Sequence, residues 1–152
     1  MRRRRSRFAI GAGLLLLATP LFASPADDVR SRVSNFRELG ASFKTVNDAI
    51  RTPEPQVMLV QIAARQIANS ARQMPGWFPA GSGPESGAKT KAKAEIWKQA
   101  PKFKAAQDAF AAQAIKFQQA AQSGNVTIMR AAARNLGMTC KGCHDSFRQP
   151  GD

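Results

Sequence analysis

The sequence predicts an all-α protein, specifically an antiparallel four-helix bundle. Four stretches of the chain repeat apolar residues at intervals of three or four positions, which is the spacing of one helix face. Proline and glycine interrupt these stretches at three places, two of them short enough for turns and one long enough for a crossover loop. No alternation of apolar and polar residues, the pattern typical of strands, surrounds the two cysteines near the C-terminus.

Ahead of these stretches, residues 1–23 have the pattern of a secretory signal peptide. Five arginines precede an apolar run from Ala9 to Ala18 that is too short to span a bilayer, and Ala23 offers a small residue for cleavage. Because Leu21 is not ideal at the −3 position, cleavage a residue or so away and an uncleaved anchor remain alternatives. We expect export to a bacterial periplasm and no stable membrane insertion after cleavage.

The mature chain, residues 24–152, is basic. The whole sequence has 23 lysines and arginines against 10 acidic residues, and removal of the five signal arginines leaves 18 basic residues and a net charge of +8. The densest basic region consists of six lysines, at positions 89, 91, 93, 98, 102 and 104. Since no basic cluster is interleaved with aromatic residues, we expect no nucleic-acid partner. The lysines form either a solvated face or a surface that attracts an acidic redox partner or a membrane.

The first helix is predicted to begin after Ser24, which suits an N-cap, with Pro25 at the first helical position. Asp27 and Asp28 fall in its first turn, where negative charge interacts favourably with the helix dipole. The predicted apolar face consists of Val29, Val33, Phe36, Gly40, Phe43 and Ile50. Two prolines in the stretch from Thr52 to Pro55 end this helix.

The second helix has the clearest apolar stripe, and it should end at Met74 because Pro75 follows directly. Its stripe consists of Val57, Val60, Ala64, Ile67, Ala71 and Met74. Residues 75–88 are rich in proline and glycine and are predicted to form a loop.

The third helix is predicted to begin near Pro101, after a short turn from Glu95 to Lys98. Its stripe consists of Phe103, Ala106, Phe110, Ala114 and Phe117. Gly124 is predicted to end this helix and Asn125 to cap the next one. The apolar face of the fourth helix carries Met129, Ala132, Leu136, Cys143 and Phe147.

The fourth helix ends in the sequence Cys-Lys-Gly-Cys-His, residues 140–144, which is the attachment motif of a c-type haem. Cys140 and Cys143 would form thioethers with the haem vinyl groups, and His144 would ligate the iron. Residues three and four apart share a helix face, so all three side chains can reach one flat macrocycle.

Three plainer interpretations of the motif are weaker. A thioredoxin-like cysteine pair belongs in a βαβ unit. A structural zinc site requires four ligands, and the sequence has no further cysteine or histidine. A disulfide between Cys140 and Cys143 would leave His144 without a role. The sequence therefore predicts one covalently attached haem c.

The order of two helices, a Pro/Gly-rich loop, a third helix and a terminal helix with the haem motif resembles cytochrome c′, the class II family of c-type cytochromes. Class I cytochromes c carry the motif near the N-terminus instead. The resemblance covers essentially the whole mature chain and is carried by four stretches: Arg32 to Leu39, Pro75 to Gly87, Glu95 to Trp97, and Cys140 to Arg148. The chain departs from the family at Ser31 and Phe147, where relatives often have tyrosine.

The resemblance implies which residue lies on the distal face of the haem. In this family the distal residue follows a characteristic arginine by four positions, and Arg32 matches that arginine, which makes Phe36 the distal residue. Phenylalanine cannot coordinate iron, low-spin members of the family have methionine here, and His144 is the only histidine of the chain. We therefore expect five-coordinate, high-spin iron in an apolar pocket that favours NO and CO over O₂.

The resemblance also implies roles around this pocket. Arg148, four residues after His144, matches a basic residue that flanks the proximal face, where a solvated cation at a helix C-terminus is the alternative. Arg32 is expected to pair with a haem propionate, with a plain surface charge as the alternative. Relatives commonly form homodimers through their first two helices. Three aromatic residues either close the haem edge or cover the core: Trp77, Phe78 and Trp97.

Three functions are compatible with these residues. The favoured one is a non-enzymatic haem protein that binds NO and CO and exchanges electrons with an unidentified periplasmic partner. The alternative is a six-coordinate, low-spin electron carrier, which requires an unexpected ligand such as Met58 or a lysine. A haem enzyme such as a weak peroxidase is disfavoured because no acid–base group is predicted on the distal side.

Overall fold

The computed structural model describes residues 24–151, and its architecture is the predicted four-helix bundle. The long helices are α1 (Pro25–Arg51), α2 (Val57–Gln73), α4 (Ala100–Gln122) and α5 (Val126–Phe147), and the single-turn helix α3 (Glu95–Lys98) precedes α4. Each long helix packs against the next, and α5 closes the bundle against α1 through the loosest of these contacts. The predicted signal peptide lies outside the described residues. None of the described helices is long and apolar enough to cross a membrane.

Two helices start at capping residues that the sequence predicted. At α1, the Ser24 hydroxyl accepts the N–H of Asp27 at 3.2 Å, and the Asp27 carboxylate accepts the N–H of Ser24 at 3.1 Å. Before α5, Gly124 has a φ of +68°, a left-handed conformation that costs glycine little. The Asn125 side chain then accepts the N–H of Ile128 at 3.1 Å. Both predicted helix starts are therefore confirmed.

The connection between α2 and α4 is more ordered than predicted. Helix α2 ends one residue before the expected Met74, because a 3₁₀ turn from Met74 to Trp77 follows it. Pro75 lies in the first turn of this segment, where its missing N–H costs nothing. A second 3₁₀ turn occupies Pro84–Ser86. The predicted loop over residues 75–88 therefore contains two 3₁₀ turns and no α-helix. The short turn expected before the third helix is confirmed as α3.

The core is formed by apolar residues from all four long helices. Its fully buried large apolar side chains are Val29, Val46, Val60, Ile67, Phe117, Met129 and Leu136. The stripe predicted on α2 lies in this core, as do Phe110, Ala114 and Phe117 of the stripe predicted on α4. Phe103 and Ala106 of the α4 stripe belong instead to a second, smaller cluster.

The buried face of α1 differs from the predicted stripe. Gly40, predicted to lie on this face, is exposed, and Leu39 and Val46 are buried instead. Phe43 is half-buried against α5, and Phe36, two turns earlier on the same helix face, is half-buried as well. The single predicted stripe therefore divides into an inner row and a row directed towards α5.

Truncation of Phe117 should strongly reduce stability, because this side chain is fully buried in the core. We expect Phe117→Ala to lower the free energy of unfolding by about 3–5 kcal/mol, measured by urea denaturation followed by circular dichroism. The control is Ile115→Ala on the same helix. Since Ile115 is 49% exposed, its truncation should cost below about 1 kcal/mol. Equal losses would contradict the described orientation of α4.

Candidate haem site

The two cysteines of the motif face apolar surroundings from the last turns of α5. Cys140 is half-buried against the main core, and Cys143 packs on a second cluster formed by Ile96, Phe103 and Phe147. Both are free thiols. Burial raises the pKa of the Cys140 thiol. Burial also raises the pKa of the Cys143 thiol, and the negative charge of an ionised Cys140 raises it further. The thiols are therefore neutral groups at an apolar boundary, which suits attachment of a flat apolar ring.

His144 follows Cys143 directly and keeps an exposed side chain. Partial burial lowers the pKa of His144, the charge of Arg148 lowers it further, and Asp145 offsets part of the shift. A lowered pKa favours the neutral imidazole, which is the form that ligates metals. Arg148 ends α5, and its backbone N–H donates to the carbonyl of His144 at 3.0 Å. Arg148 thus lies one helical turn beyond the predicted ligand.

Contacts between α1 and α5 set the register of these two helices. Phe43 of α1 packs against Gly137 of α5, where an added Cβ would lie 3.3 Å from the phenyl ring. A second contact joins Ile50, seven residues after Phe43, to Arg130, seven residues before Gly137. Arg130 donates from Nε and Nη2 to the carbonyl of Ile50 at 3.0 and 2.8 Å. The two contacts agree on one register, since antiparallel helices advance by the same rise per residue.

The same register determines what lies opposite the predicted iron ligand. Phe36 precedes Phe43 by seven residues, and His144 follows Gly137 by seven residues. Seven residues of helix correspond to about 10 Å on either helix. Phe36 of α1 therefore lies level with His144 of α5.

Aromatic rings form a continuous wall beside Phe36. The Phe36 ring meets Trp77 and Phe78 edge-on, at centroid distances of 5.0 and 6.0 Å. Phe78 meets Phe103 at 4.7 Å, and Phe103 meets Phe147 at 5.1 Å. Edge-to-face pairs of this kind are favourable beyond the area they bury. The wall therefore reaches from α1 through the α2–α4 connection to the last turn of α5.

Arg32, one turn before Phe36, links the connection between α2 and α4 to α1 through hydrogen bonds. It is only 3% exposed. Nη1 donates to the Ser82 hydroxyl at 2.8 Å and to the Trp77 carbonyl at 3.3 Å. Nη2 donates to the Ser82 carbonyl at 2.7 Å and to the Thr90 hydroxyl at 3.3 Å. One guanidinium thus holds three points of the segment that carries the aromatic wall.

The charge of Arg32 is buried without an ion-pair partner among the described residues. Burial lowers the pKa of Arg32, and Asp28 and Glu85 offset part of this effect from a distance. The guanidinium also lies over the Phe78 ring, 4.9 Å from its centroid. A buried cation with no carboxylate in contact favours a further anionic group nearby, as the expected haem propionate would be.

Met58, the remote ligand candidate, lies at the other end of the bundle. It is 65% exposed in the first turn of α2. The residue that contacts Phe36 is instead Trp77, which lies just beyond the last turn of α2. The 17 residues of α2 span about 25 Å, which separates Met58 from the level of the motif.

Three residues near the site were not assigned to it from the sequence. Ser82 is fully buried and accepts from Arg32, yet nothing in its flanking Gly–Ser–Gly sequence distinguishes it from an ordinary loop serine. Phe103 and Phe147 were predicted only as core residues. The sequence signal that could have assigned them to the site was their position at the ends of their apolar stripes, nearest the haem motif.

These features fit covalent attachment of haem c. Two thiols and an imidazole share the end of α5, Phe36 lies level with the imidazole on the facing helix, and aromatic rings border the space beside them. Arg32 supplies a buried positive charge at the same end of the bundle.

Comparisons with known proteins identify one family. The family model described as Cytochrome C' matches residues 27–148. Cytochrome c' of Pararhodospirillum photometricum is 36% identical over 129 residues, which cover 84% of this chain and 100% of the relative. The crystal structure of cytochrome c' from Rubrivivax gelatinosus superposes with a TM-score of 0.77 at 29% identity, covering 84% of this chain and 99% of the other. A nitric oxide complex of a point variant of cytochrome c prime from Alcaligenes xylosoxidans gives a TM-score of 0.75 at 27% identity, covering 85% and 99%.

Replacement of Arg32 should destabilise the protein, because its loss leaves buried oxygens of Ser82 and Trp77 without donors. We expect Arg32→Met to lower the free energy of unfolding by about 2–4 kcal/mol, measured by urea denaturation with tryptophan fluorescence. The matched control is Arg37→Met on the same helix, where the side chain is exposed and the change should stay within about 0.5 kcal/mol. An Arg32→Met protein as stable as the control would contradict a stabilising role for the hydrogen bonds of Arg32.

Proposed function

The chain belongs to the cytochrome c′ family, and from that premise we propose that it is a periplasmic, non-enzymatic haem protein whose five-coordinate, high-spin iron binds NO and CO and exchanges electrons. Members of the family carry haem c covalently, and this chain carries one. The signal peptide expected at residues 1–23 supports the location, because haem attachment outside the cytoplasm suits an exported chain.

Three residues of the motif and two arginines have roles in this proposal. Cys140 and Cys143 would hold the porphyrin through thioether bonds, and His144 would ligate its iron. Arg148 flanks the proximal side one turn beyond His144, and Arg32 pairs with a propionate through its otherwise uncompensated charge. Bound haem would supply an iron that changes between ferric and ferrous states and that can bind a diatomic gas.

The observation that carries the proposal is the position of Phe36 level with His144. A phenyl ring has no lone pair to offer to iron, so the side facing away from His144 stays without a protein ligand. The ring and its neighbours Trp77 and Phe78 offer this space an apolar surface. An apolar surface lacks the hydrogen-bond donor that stabilises bound O₂, and it tolerates NO and CO, which are less polar when bound.

Three further observations support binding of a gas rather than the alternatives. The solved structures similar to this chain include nitric oxide complexes of cytochrome c prime from Alcaligenes xylosoxidans. The exposed position of Met58, about 25 Å from the level of Phe36 along α2, disfavours Met58 as the sixth ligand of a six-coordinate electron carrier. The aromatic neighbours of Phe36 are also no acid–base groups, which disfavours peroxidase chemistry.

An exposed apolar patch supports a homodimer. Met58, Leu59 and Ile62 lie on one side of α2 and are 65%, 42% and 40% exposed. Exposed apolar residues that cluster in this way are typical of protein interfaces. We propose that α2, together with the adjacent α1, pairs with a second copy of the chain.

Truncation of Phe36 should open the distal side. Displacing a packed ring costs about 1–3 kcal/mol, so we expect Phe36→Ala to raise the second-order rate constant of CO binding to the ferrous protein by about 10- to 100-fold. Flash photolysis of the CO adduct measures this rate. The control is Ile115→Ala on α4, at a residue that is 49% exposed, which should change the rate by less than about threefold. An unchanged rate for Phe36→Ala would mean that this ring does not cover the iron.

A charge in the α2 patch should disrupt the dimer. We expect Leu59→Glu to shift the protein towards monomer by at least about tenfold in dissociation constant, because burying an unpaired carboxylate costs several kcal/mol. Analytical ultracentrifugation measures the shift. Ile115→Glu, at a residue 49% exposed on α4, is the control and should leave the dimer intact. A wild-type protein that is monomeric at all concentrations would contradict the proposed dimer.

A further inference from the structure

The lysine-rich segment of residues 89–104 is fastened to the haem-binding end of α5. The backbone N–H of Lys93 donates to the carbonyl of Phe147 at 3.0 Å, and that of Gln149 donates to the carbonyl of Lys91 at 2.7 Å. The Lys93 side chain also donates to the carbonyl of Asp145 at 3.1 Å. Since Asp145 directly follows His144, the segment lies beside the predicted iron ligand.

Positive charge is concentrated at this end of the molecule. The segment contains one acidic residue, Glu95, and six lysines, which we call the lysine face: Lys89, Lys91, Lys93, Lys98, Lys102 and Lys104. The end of α5 and the residue after it add Lys141 and Arg148 against Asp145. The rest of the mature chain has ten basic and eight acidic residues, so it is close to neutral.

Most of the lysine face is free to meet an external anion. Among the described residues, only Lys104 of the six forms an ion pair, with Asp108 at 2.6 Å. Lys89, Lys98 and Lys102 are exposed. Five unpaired positive charges on one short segment create a local field that attracts a partner of opposite sign.

The composition of this surface favours a protein partner over a lipid bilayer. The large exposed apolar residues of the described chain lie on α2, α4 and α5 and outside residues 89–104. Within the segment, Ile96 is buried, and Trp97 donates its indole N–H to the Pro79 carbonyl at 3.2 Å. The face therefore offers charge without the apolar anchors that insert into a membrane interface.

We propose that the lysine face docks a soluble redox protein through a carboxylate-rich surface on that partner, and so brings the partner's redox centre to the haem edge beside Cys143 and His144. This inference rests on the proposed function, because it requires a haem that exchanges electrons. In the docked complex one electron leaves the reduced partner, which is oxidised by one unit, and enters the ferric haem, whose iron is reduced by one unit. No bond forms or breaks, and no proton transfer is required.

The test compares two triple variants of the full holoprotein that carry the same change in charge. One reverses the lysine face (Lys89→Glu, Lys98→Glu and Lys102→Glu). The control reverses three exposed basic residues elsewhere on the bundle (Arg51→Glu, Lys116→Glu and Arg134→Glu). The probe is a chemically reduced, acidic flavodoxin, and stopped-flow absorbance follows reduction of the ferric haem at several ionic strengths. A reduced, uncharged flavin serves as the second donor.

We expect the flavodoxin rate constant of the wild-type protein to fall steeply as salt is raised from about 20 to 200 mM, since salt screens surface charges. At the lowest salt, the lysine-face variant should react about 10- to 100-fold more slowly than wild type. The control variant should lose less than about threefold, since its charges lie away from the docking surface. All three proteins should react equally with the uncharged flavin.

Equal slowing in both triple variants would overturn the proposal, because only net charge would then matter. An unaltered rate in the lysine-face variant would overturn it as well. So would lysine-dependent sedimentation with phosphatidylglycerol vesicles under conditions where the flavodoxin rate is independent of these lysines. Failure of the uncharged flavin to reduce the wild-type protein is a different result, which would contradict the electron-transfer part of the proposed function itself.

Discussion

The register between α1 and α5 determines which side chain of α1 lies level with His144. It rests on close approach at Gly137, where the Phe43 ring occupies the space that a side chain would need, and on the two hydrogen bonds from Arg130 to the end of α1. A shift by one residue would rotate α1 by about 100° and remove Phe36 from its position level with His144. The position of Phe36 relative to His144 therefore depends on packing about two and four turns away from His144.

A second constraint keeps the surroundings of Phe36 apolar. Arg32 lies on the same helix as Phe36 and donates hydrogen bonds to the connection that carries Trp77 and Phe78. The aromatic wall and the distal ring are therefore tied to one helix. Side-chain hydrogen bonds as well as core burial therefore fix the aromatic residues around Phe36, although α1 and α5 pack weakly against each other.

Much of this arrangement was predictable from the sequence, for physical reasons that differ between its parts. Caps such as Ser24 and Asn125 act through neighbouring backbone groups, so local sequence was sufficient to predict them. The haem motif is equally local, because its three side chains share one helix face. In contrast, the role of Phe36 was accessible only through family resemblance, since it depends on a contact between residues about a hundred positions apart. Gly40 was misassigned because α1 has two neighbours, and periodicity alone cannot divide one stripe between them. The burial of Ser82 depends wholly on where Arg32 points.

The most direct test of the account is the electron paramagnetic resonance spectrum of the purified ferric protein at neutral pH. An iron held only by His144, with the Phe36 ring opposite, predicts a high-spin signal with no low-spin component. A dominant low-spin signal would mean that a nitrogen or sulfur atom is bonded trans to His144. That result would contradict the proposal of an open iron site for small gases.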